Sequence, residues 1–359
     1  MEGKLRNQAL DDLKLLAVAF VVVLHVIGYT KELVGLESYS DFAKCVNCVM
    51  EAITYPAIHY FVLIGSYFMS GEFKPKNIIR TYSQTWIVSL LGLILVLIFL
   101  RNELTLTGII TSLLPFSQRA YWFVSDYIIL SLLSPFLCVA IRNCAKRTFL
   151  TFLCVLFLLV CLLPYMSINT WYKGNLIVLI LLFFVSQYIK KYGINIRRSL
   201  LLLLWMLFVL ILSISGIISL MFLPGTASTG EAMYFYQYTS PFVVAESICL
   251  FGYFVLDTRP QKESGFISKG MVRSSLIVYL LHMHPILKNC YTKYEVLRFI
   301  DVKSELYPVY VLFLSTVILI VGFIISIFLI IPVSNKNTEI VSSVLSHLKH
   351  RIIPQKEQK

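Results

Sequence analysis

Ten long apolar runs, separated by charged or turn residues, limit how this chain can fold more than any other feature. Hydrophobic residues make up 58% of its 359 residues and charged residues only 14%, whereas soluble domains have about 45–50% and about 25%. Runs of this length match a bilayer core, in which a helix satisfies its own backbone hydrogen bonds. The sequence therefore predicts an all-α integral membrane protein, a bundle of about ten transmembrane helices. The predicted spans lie near residues 12–29, 51–70, 81–100, 122–141, 148–165, 176–190, 200–222, 239–257, 273–290 and 308–332.

Lysine and arginine are distributed unevenly between the two ends of these spans. With ten spans and a cytoplasmic N-terminus, 22 of the 31 lysines and arginines fall on the cytoplasmic side, which agrees with the positive-inside rule. We therefore expect both termini in the cytoplasm. The chain divides into a transmembrane domain, residues 1–332, and a basic cytoplasmic tail, residues 333–359. The net charge of +12 is then a topology signal, and because no nucleic-acid motif accompanies it, we expect no nucleic-acid partner.

Lys14 and His25 lie in the same apolar stretch, eleven positions apart. At about 100° per residue, eleven steps return to nearly the same side of a helix, about 16 Å further along its axis. Titratable groups at membrane depth are costly and usually mark a pathway or a site. The predicted topology places Lys14 near the cytoplasmic end of the first span and His25 in its outer half.

Other polar side chains also fall inside predicted spans: His59, Asp126, Glu246, His282 and His284. For each one alone, the structural alternative is an interhelical hydrogen bond that fixes packing. Several of them share a similar predicted depth with His25, and imidazoles together with carboxylates suit general acid–base chemistry or proton-coupled transport.

Lys14 and Arg80 lie near the predicted cytoplasmic ends of their spans. Two interpretations stay open. The cations extend to lipid phosphates at the membrane surface, or they bind a phosphate-bearing cosubstrate from the cytoplasm. Asp11, three residues before Lys14, is placed to pair with it locally.

Metal and hydrolase chemistry have little support in the sequence. Cys45 and Cys48 form a lone C-x-x-C motif in the predicted first loop, and no second Cys/His pair at ligand spacing accompanies it. We therefore expect no metal. Walker, H-E-x-x-H and G-x-S-x-G motifs are missing from the sequence.

The order of several short motifs resembles the acyltransferase-3 family of membrane proteins. Residues 9–25 resemble the opening of that family, in which a basic residue and a histidine have the spacing of Lys14 and His25. At the family's R-x-x-R motif this chain keeps only Arg80, because Asn77 replaces the first arginine. The other matching segments are residues 61–68, 73–80, 121–135 and 275–285, where either His282 or His284 could align.

This resemblance implies a fold of ten spans and an activity that moves acyl groups, often acetyl, onto glycans. It implies acetyl-CoA as donor from the cytoplasmic side and, as acceptor, a hydroxyl of a cell-surface or lipid-linked glycan. The expected location is the cytoplasmic membrane of a bacterium, among membrane lipids. The alternative function is a carrier or exporter of a glycan or lipid-linked sugar.

The resemblance also suggests roles for individual residues. His25 would be the general base or the acyl acceptor, and Lys14 and Arg80 would hold the phosphates of acetyl-CoA. Asp126 and Glu246 are further catalytic candidates, which would orient an imidazole or fix the sugar. The substrate-binding candidates are His59, Trp122, Tyr127 and His282.

Overall fold

The chain is all-helical wherever the structure describes it. The computed structural model describes residues 7–166, 175–222, 235–259, 265–288, 297 and 299–352, and none of these forms a strand. This confirms the prediction of an all-α membrane protein, whereas the count of ten spans and the position of the termini stay predictions. In the described ranges, seven helical stretches are long and apolar enough to cross a membrane: Gln8–Val34, Asp41–Phe68, Pro75–Phe99, Trp122–Arg142, Asn175–Tyr192, Arg198–Met221 and Tyr307–Val344.

Fourteen α-helices follow one another along the described chain. Two π turns, Leu158–Leu162 and Ser326–Ile330, join α7 to α8 and α13 to α14. The helices are α1 (Gln8–Val34), α2 (Asp41–Thr54), α3 (Ala57–Phe68), α4 (Pro75–Phe99), α5 (Leu106–Leu113), α6 (Trp122–Arg142), α7 (Lys146–Phe157), α8 (Leu163–Met166), α9 (Asn175–Tyr192), α10 (Arg198–Phe222), α11 (Pro241–Val255), α12 (Phe266–His282), α13 (Tyr307–Ile325) and α14 (Ile331–Ile352).

Helix α1 is central to the bundle. The Asn7 side chain caps its first turn by accepting a hydrogen bond from the Leu10 amide at 3.2 Å. The helix ends at Gly35, whose φ of +74° suits a residue without a side chain. Between these ends α1 packs against α2, α3, α11, α12 and α13. A helix that is apolar on most sides belongs inside a bundle, which explains why Lys14 and His25 face other helices.

The second predicted span is two helices rather than one. Helix α2 begins after Ser40, whose hydroxyl accepts a hydrogen bond from the Ala43 amide at 3.2 Å, and α3 begins after Pro56. The expectation that Cys45 and Cys48 lie in a loop is therefore wrong, because both are on α2. The Ser40 cap starts a helix earlier than the apolar run alone indicates, and both thiols are unbridged.

Helices α13 and α14 form one continuous helix that passes through Pro332. The Ser326–Ile330 turn has π geometry directly before the proline, and such a wider turn accommodates the missing backbone N–H. Helix α14 then packs along α4, where the Asn337 side-chain amide donates a hydrogen bond to the Ser83 hydroxyl at 3.3 Å. Residues 333–352 of the predicted tail are therefore helical, and the part around Asn337 packs against α4.

An ionic cluster joins three helices at the Lys14 end of the bundle. Asp257, just beyond α11, lies 3.1 Å from an Arg198 nitrogen and 2.6 Å from Nε of Arg259. Arg259 also reaches Asp12 on α1, at 3.2 Å. Burial raises the pKa of the Asp257 carboxyl, but the Arg259 hydrogen bonds and the Arg198 charge outweigh burial, so the pKa lies below its ordinary value.

Candidate functional site

A basic cavity opens at the Lys14 end of α1. Its volume is about 620 Å³, and Lys14, Arg80 and Arg273 line it from α1, α4 and α12. The structure therefore brings the two predicted phosphate-binding residues to one place. Arg80 and Arg273 are exposed and Lys14 is half-buried. Three cations around one concave surface are the kind of groups that bind an anion such as a phosphate group.

Two carboxylates also line the basic cavity. Asp11 lies on α1 and Glu339 on α14. Ile331, Asn335 and Glu339 are spaced by four residues, so they form a stripe along α14 that closes one side of the cavity. Asn335 and Glu339 were not predicted from the sequence as part of a site, because the apolar pattern ends at Pro332. The signal that could have found them is this four-residue spacing beyond the proline.

Arg273 is one of the 22 lysines and arginines that the sequence assigned to the cytoplasmic side, and its position in the cavity lining was not predicted. It lies one helical turn before Leu276 and Ile277 on α12. Only the packing of α12 against α1 and α4 places its side chain beside Lys14 and Arg80. No motif in the sequence carries that information.

Tyr127, predicted to bind substrate, also lines the basic cavity. A neighbouring cavity of about 350 Å³ shares Tyr127 and Arg80 with it. Tyr127 is therefore at the same end of the bundle as the cationic side chains. Trp122, five residues earlier on the same helix, is not among the residues that line either cavity.

His25 and His282 form a hydrogen-bonded pair. Nδ1 of His25 lies 2.9 Å from Nε2 of His282, and the two rings are 5.0 Å apart, centre to centre. Nδ1 of His282 lies 2.7 Å from the Val278 carbonyl oxygen, one turn earlier on α12. These contacts join α1 to α12 at the place where the predicted catalytic histidine lies.

The carbonyl of Val278 determines where the protons of the neutral pair lie. A carbonyl oxygen only accepts, so Nδ1 of His282 carries a proton and its Nε2 is an acceptor. Nδ1 of His25 must then donate to that acceptor. The proton assignment comes from the hydrogen-bond network, and it leaves Nε2 of His25 with an unprotonated lone pair. A nitrogen with such a lone pair is suited to take a proton or attack a carbonyl carbon.

Aromatic residues surround the histidine pair. The Tyr29 ring stacks with His25 at a centroid distance of 6.1 Å, and its hydroxyl lies 3.0 Å from Sδ of Met283. Tyr279 packs edge-on against the His282 ring at 6.1 Å. These contacts restrict rotation of both imidazoles, so the two rings hold one mutual arrangement.

His284 has a different environment from His282. Its Nε2 donates a hydrogen bond to the Ser89 carbonyl at 3.0 Å, and its Nδ1 accepts from the amides of Ile286 and Leu287. The ring packs against Gly92 on α4, where any side chain would overlap it. Both ring nitrogens are therefore used in packing α12 and its following turn against α4. Of the two histidines, His282 is the one that contacts His25.

His59 and Trp122 belong to an aromatic cluster around Tyr238. The Tyr238 ring lies 6.0 Å from His59, 5.2 Å from Trp122 and 5.3 Å from Tyr55. His59 is fully buried, and its ring nitrogens make no hydrogen bond of good geometry with the described residues. The cluster joins α3, α6 and the segment before α11, apart from the histidine pair.

Asp126 and Glu246 do not contact His25. Asp126 pairs with Arg119, whose terminal nitrogen lies 2.8 and 3.0 Å from the two carboxylate oxygens. Glu246 is fully buried between α3 and α10, beside Tyr60 and Trp205. Neither of its oxygens makes a hydrogen bond of good geometry with the part of the chain that is described. The geometry therefore supports the His25–His282 pair, rather than a His–carboxylate pair, as the acid–base unit.

The described ranges contain no group of three or more histidines, cysteines, aspartates or glutamates arranged to hold a metal ion.

The described structure is that of a multi-pass helical membrane protein. It has a basic cavity at one end of α1 and a histidine pair further along the same helix. The family model described as an acyltransferase domain, that of the acyltransferase-3 family, matches residues 7–331. The chain belongs to the acyltransferase-3 family, which confirms the resemblance seen in its sequence. Searches of curated proteins and of solved structures returned no match.

Proposed function

We propose that this membrane acyltransferase moves an acetyl group from acetyl-CoA to a hydroxyl of a cell-surface or lipid-linked glycan. The observation that carries the proposal is the arrangement along α1. Lys14 lines a basic cavity at one end, and His25 meets His282 eleven residues further on. One helix thus contributes to both a cationic cavity and a histidine pair, which supports transfer from a phosphate-bearing donor.

The basic cavity suits the donor. The phosphates of acetyl-CoA are anionic, and Lys14, Arg80 and Arg273 supply one point charge and two planar guanidinium groups. With the predicted topology, this end of the bundle faces the cytoplasm, where acetyl-CoA is made. The same topology directs His25 towards the outer side of a bacterial cytoplasmic membrane, which an acceptor glycan can approach.

His25 carries the chemistry through Nε2. As general base, Nε2 takes the proton of the acceptor hydroxyl while that oxygen bonds to the thioester carbonyl carbon. The carbon–sulfur bond then breaks, and the CoA sulfur takes that proton from Nε2. As acyl acceptor, Nε2 itself bonds to the carbonyl carbon while the carbon–sulfur bond breaks and CoA leaves as a thiolate. The acceptor hydroxyl oxygen then bonds to that carbon, the carbon–nitrogen bond breaks, and the hydroxyl proton neutralises the thiolate. Both routes need the lone pair that the His282 contact leaves on Nε2.

The test uses membrane vesicles that contain the full chain, acetyl-CoA labelled in the acetyl group, and a crude glycan and glycolipid extract. We expect labelled ester in the glycan fraction with the natural chain, and about a 10²–10⁴-fold lower rate with His25→Ala. Rapid quenching during turnover in a denaturing solvent at neutral pH separates the two routes, because only the second leaves label on the protein and an acyl-imidazole hydrolyses in acid.

Gly28→Ala is the matched control on the same helix. A methyl group at Gly28 meets no other atom within 4 Å, and alanine favours a helix, so we expect a natural rate. Substantial acetylation by correctly inserted His25→Ala protein would reject the role of His25. Binding of labelled acetyl-CoA without any transfer of the label would reject acetyl transfer by this chain and favour the carrier function.

A further inference from the structure

A small apolar void lies between the basic cavity and the histidine pair. Its volume is about 10 Å³, close to the smallest space that holds one water-sized particle, and an apolar void of this kind stays dry. It has the size of a methyl group rather than of a longer chain. Six apolar or aromatic side chains line it: Val21, Ile58, Phe61, Phe123, Leu276 and Tyr279.

The position of the void is intermediate along α1. Val21 is seven residues after Lys14 and four before His25, which corresponds to about 10 Å and about 6 Å along the helix axis. Phe61 and Leu276 line both the basic cavity and the void. Tyr279 lines the void and packs on the His282 ring. The void therefore shares lining residues with the basic cavity and contacts the histidine pair through Tyr279.

Packed rings make this region narrow. Phe123 lies 6.2 Å from Phe61 and 5.9 Å from Tyr279, centre to centre. Val21, Ile58, Phe123 and Tyr279 are each at most 5% exposed. Because buried side chains are closely packed, an additional methylene must displace one of them.

We propose that this void selects the acyl group, so that the chain uses a two-carbon acyl donor and rejects longer ones. The proposal rests on the proposed function and adds a specificity determinant to it. The methyl of an acetyl group fits a space of this size beside the route to His25. Each further methylene meets Ile58, Phe61 or Leu276, and one methylene in an apolar pocket changes kcat/KM by about 10- to 200-fold.

The experiment compares acetyl-CoA with butyryl-CoA in the vesicle assay, as a ratio of kcat/KM values. We expect the natural chain to prefer acetyl-CoA by at least about 10²-fold, since two methylenes are excluded. Ile58→Ala and Leu276→Ala each enlarge the void, and we expect each to lower that preference at least about tenfold.

Leu280→Ala is the matched control, since Leu280 is a fully buried leucine one turn further along α12 and does not line the void. It removes the same atoms, and we expect it to keep the natural preference. A preference that stays unchanged in both void variants overturns the proposal, as does a natural chain that uses butyryl-CoA as well as acetyl-CoA. If the natural chain transfers neither the acetyl nor the butyryl group, that result rejects the proposed function rather than the role of the void.

Discussion

His282 orients the proton on His25, and replacing it with leucine tests that relation. The His282→Leu side chain has a similar size but offers no acceptor to Nδ1 of His25, which lies 2.9 Å from Nε2 of His282. The His25 ring keeps its hydrogen bond to the Val21 backbone, so the change removes one hydrogen bond, which costs about 0.5–1.5 kcal/mol. The His25 proton then has reason to move to Nε2, where it blocks the reactive lone pair.

That free energy gives the expected size of the effect. A bias of about 0.5–1.5 kcal/mol corresponds to about a 2- to 13-fold change in the ratio of the productive tautomer to the other. We expect kcat to fall by that factor, less than the loss expected for His25→Ala. The KM for acetyl-CoA should not change, because the basic cavity is at the other end of α1. His282→Gln restores an oxygen acceptor, so its rate should lie between those of His282→Leu and the natural chain.

The assay has two parts. Vesicle kinetics give kcat and KM separately, and ¹⁵N NMR of histidine-labelled protein shows which ring nitrogen of His25 carries the proton. We expect a protonated Nδ1 in the natural chain and a shift towards protonated Nε2 in His282→Leu. The reasoning is refuted by a natural chain with Nε2 of His25 protonated, or by natural kcat in His282→Leu.

Two further predictions concern charged groups at the Lys14 end. Arg273→Gln should raise the KM for acetyl-CoA about twofold to fivefold, the range for an exposed charge pair, with kcat unchanged. Lys269→Gln, one turn earlier on α12 and outside the cavity lining, should leave KM unchanged; equal effects of the two would contradict the donor site. Asp257→Asn should lower the thermal midpoint at neutral pH, because the pKa of Asp257 lies below its ordinary value of 3.8 in the folded protein. This stabilisation is therefore present above pH 3.8, is lost as pH falls towards the folded pKa, and should be missing from the variant in a calorimetric pH series.

Local sequence patterns predicted the helical architecture well, because burial of apolar runs in a membrane is decided residue by residue. The prediction that Lys14 and His25 lie on one side of α1 is an inference of this local kind. The exceptions have local causes of their own. Ser40 starts α2 before the apolar run begins, and the π turn ahead of Pro332 lets α14 continue.

The candidate site depends instead on contacts between distant parts of the chain. His25 and His282 are 257 residues apart, and a single sequence does not report how α12 is rotated against α1. For this reason the sequence did not distinguish His282 from His284. In the structure, His282 contacts His25 and His284 contacts the Ser89 carbonyl. Asp126 is an example of a prediction that a nearby residue disfavours. It was predicted to orient an imidazole, but its carboxylate pairs with Arg119, seven residues away.

The uninterrupted path of α13 into α14 has a practical consequence for anyone who produces this protein. Shortening the chain at Pro332 looks harmless from its hydropathy, because the residues beyond the proline are mostly polar. The truncation would nevertheless delete Asn335 and Glu339 from the cavity lining and Asn337 from its contact with α4. An affinity tag is therefore better placed after residue 352 through a flexible spacer, and a shortened protein that inserts normally yet loses acetyl-CoA binding would identify α14 as part of the enzyme.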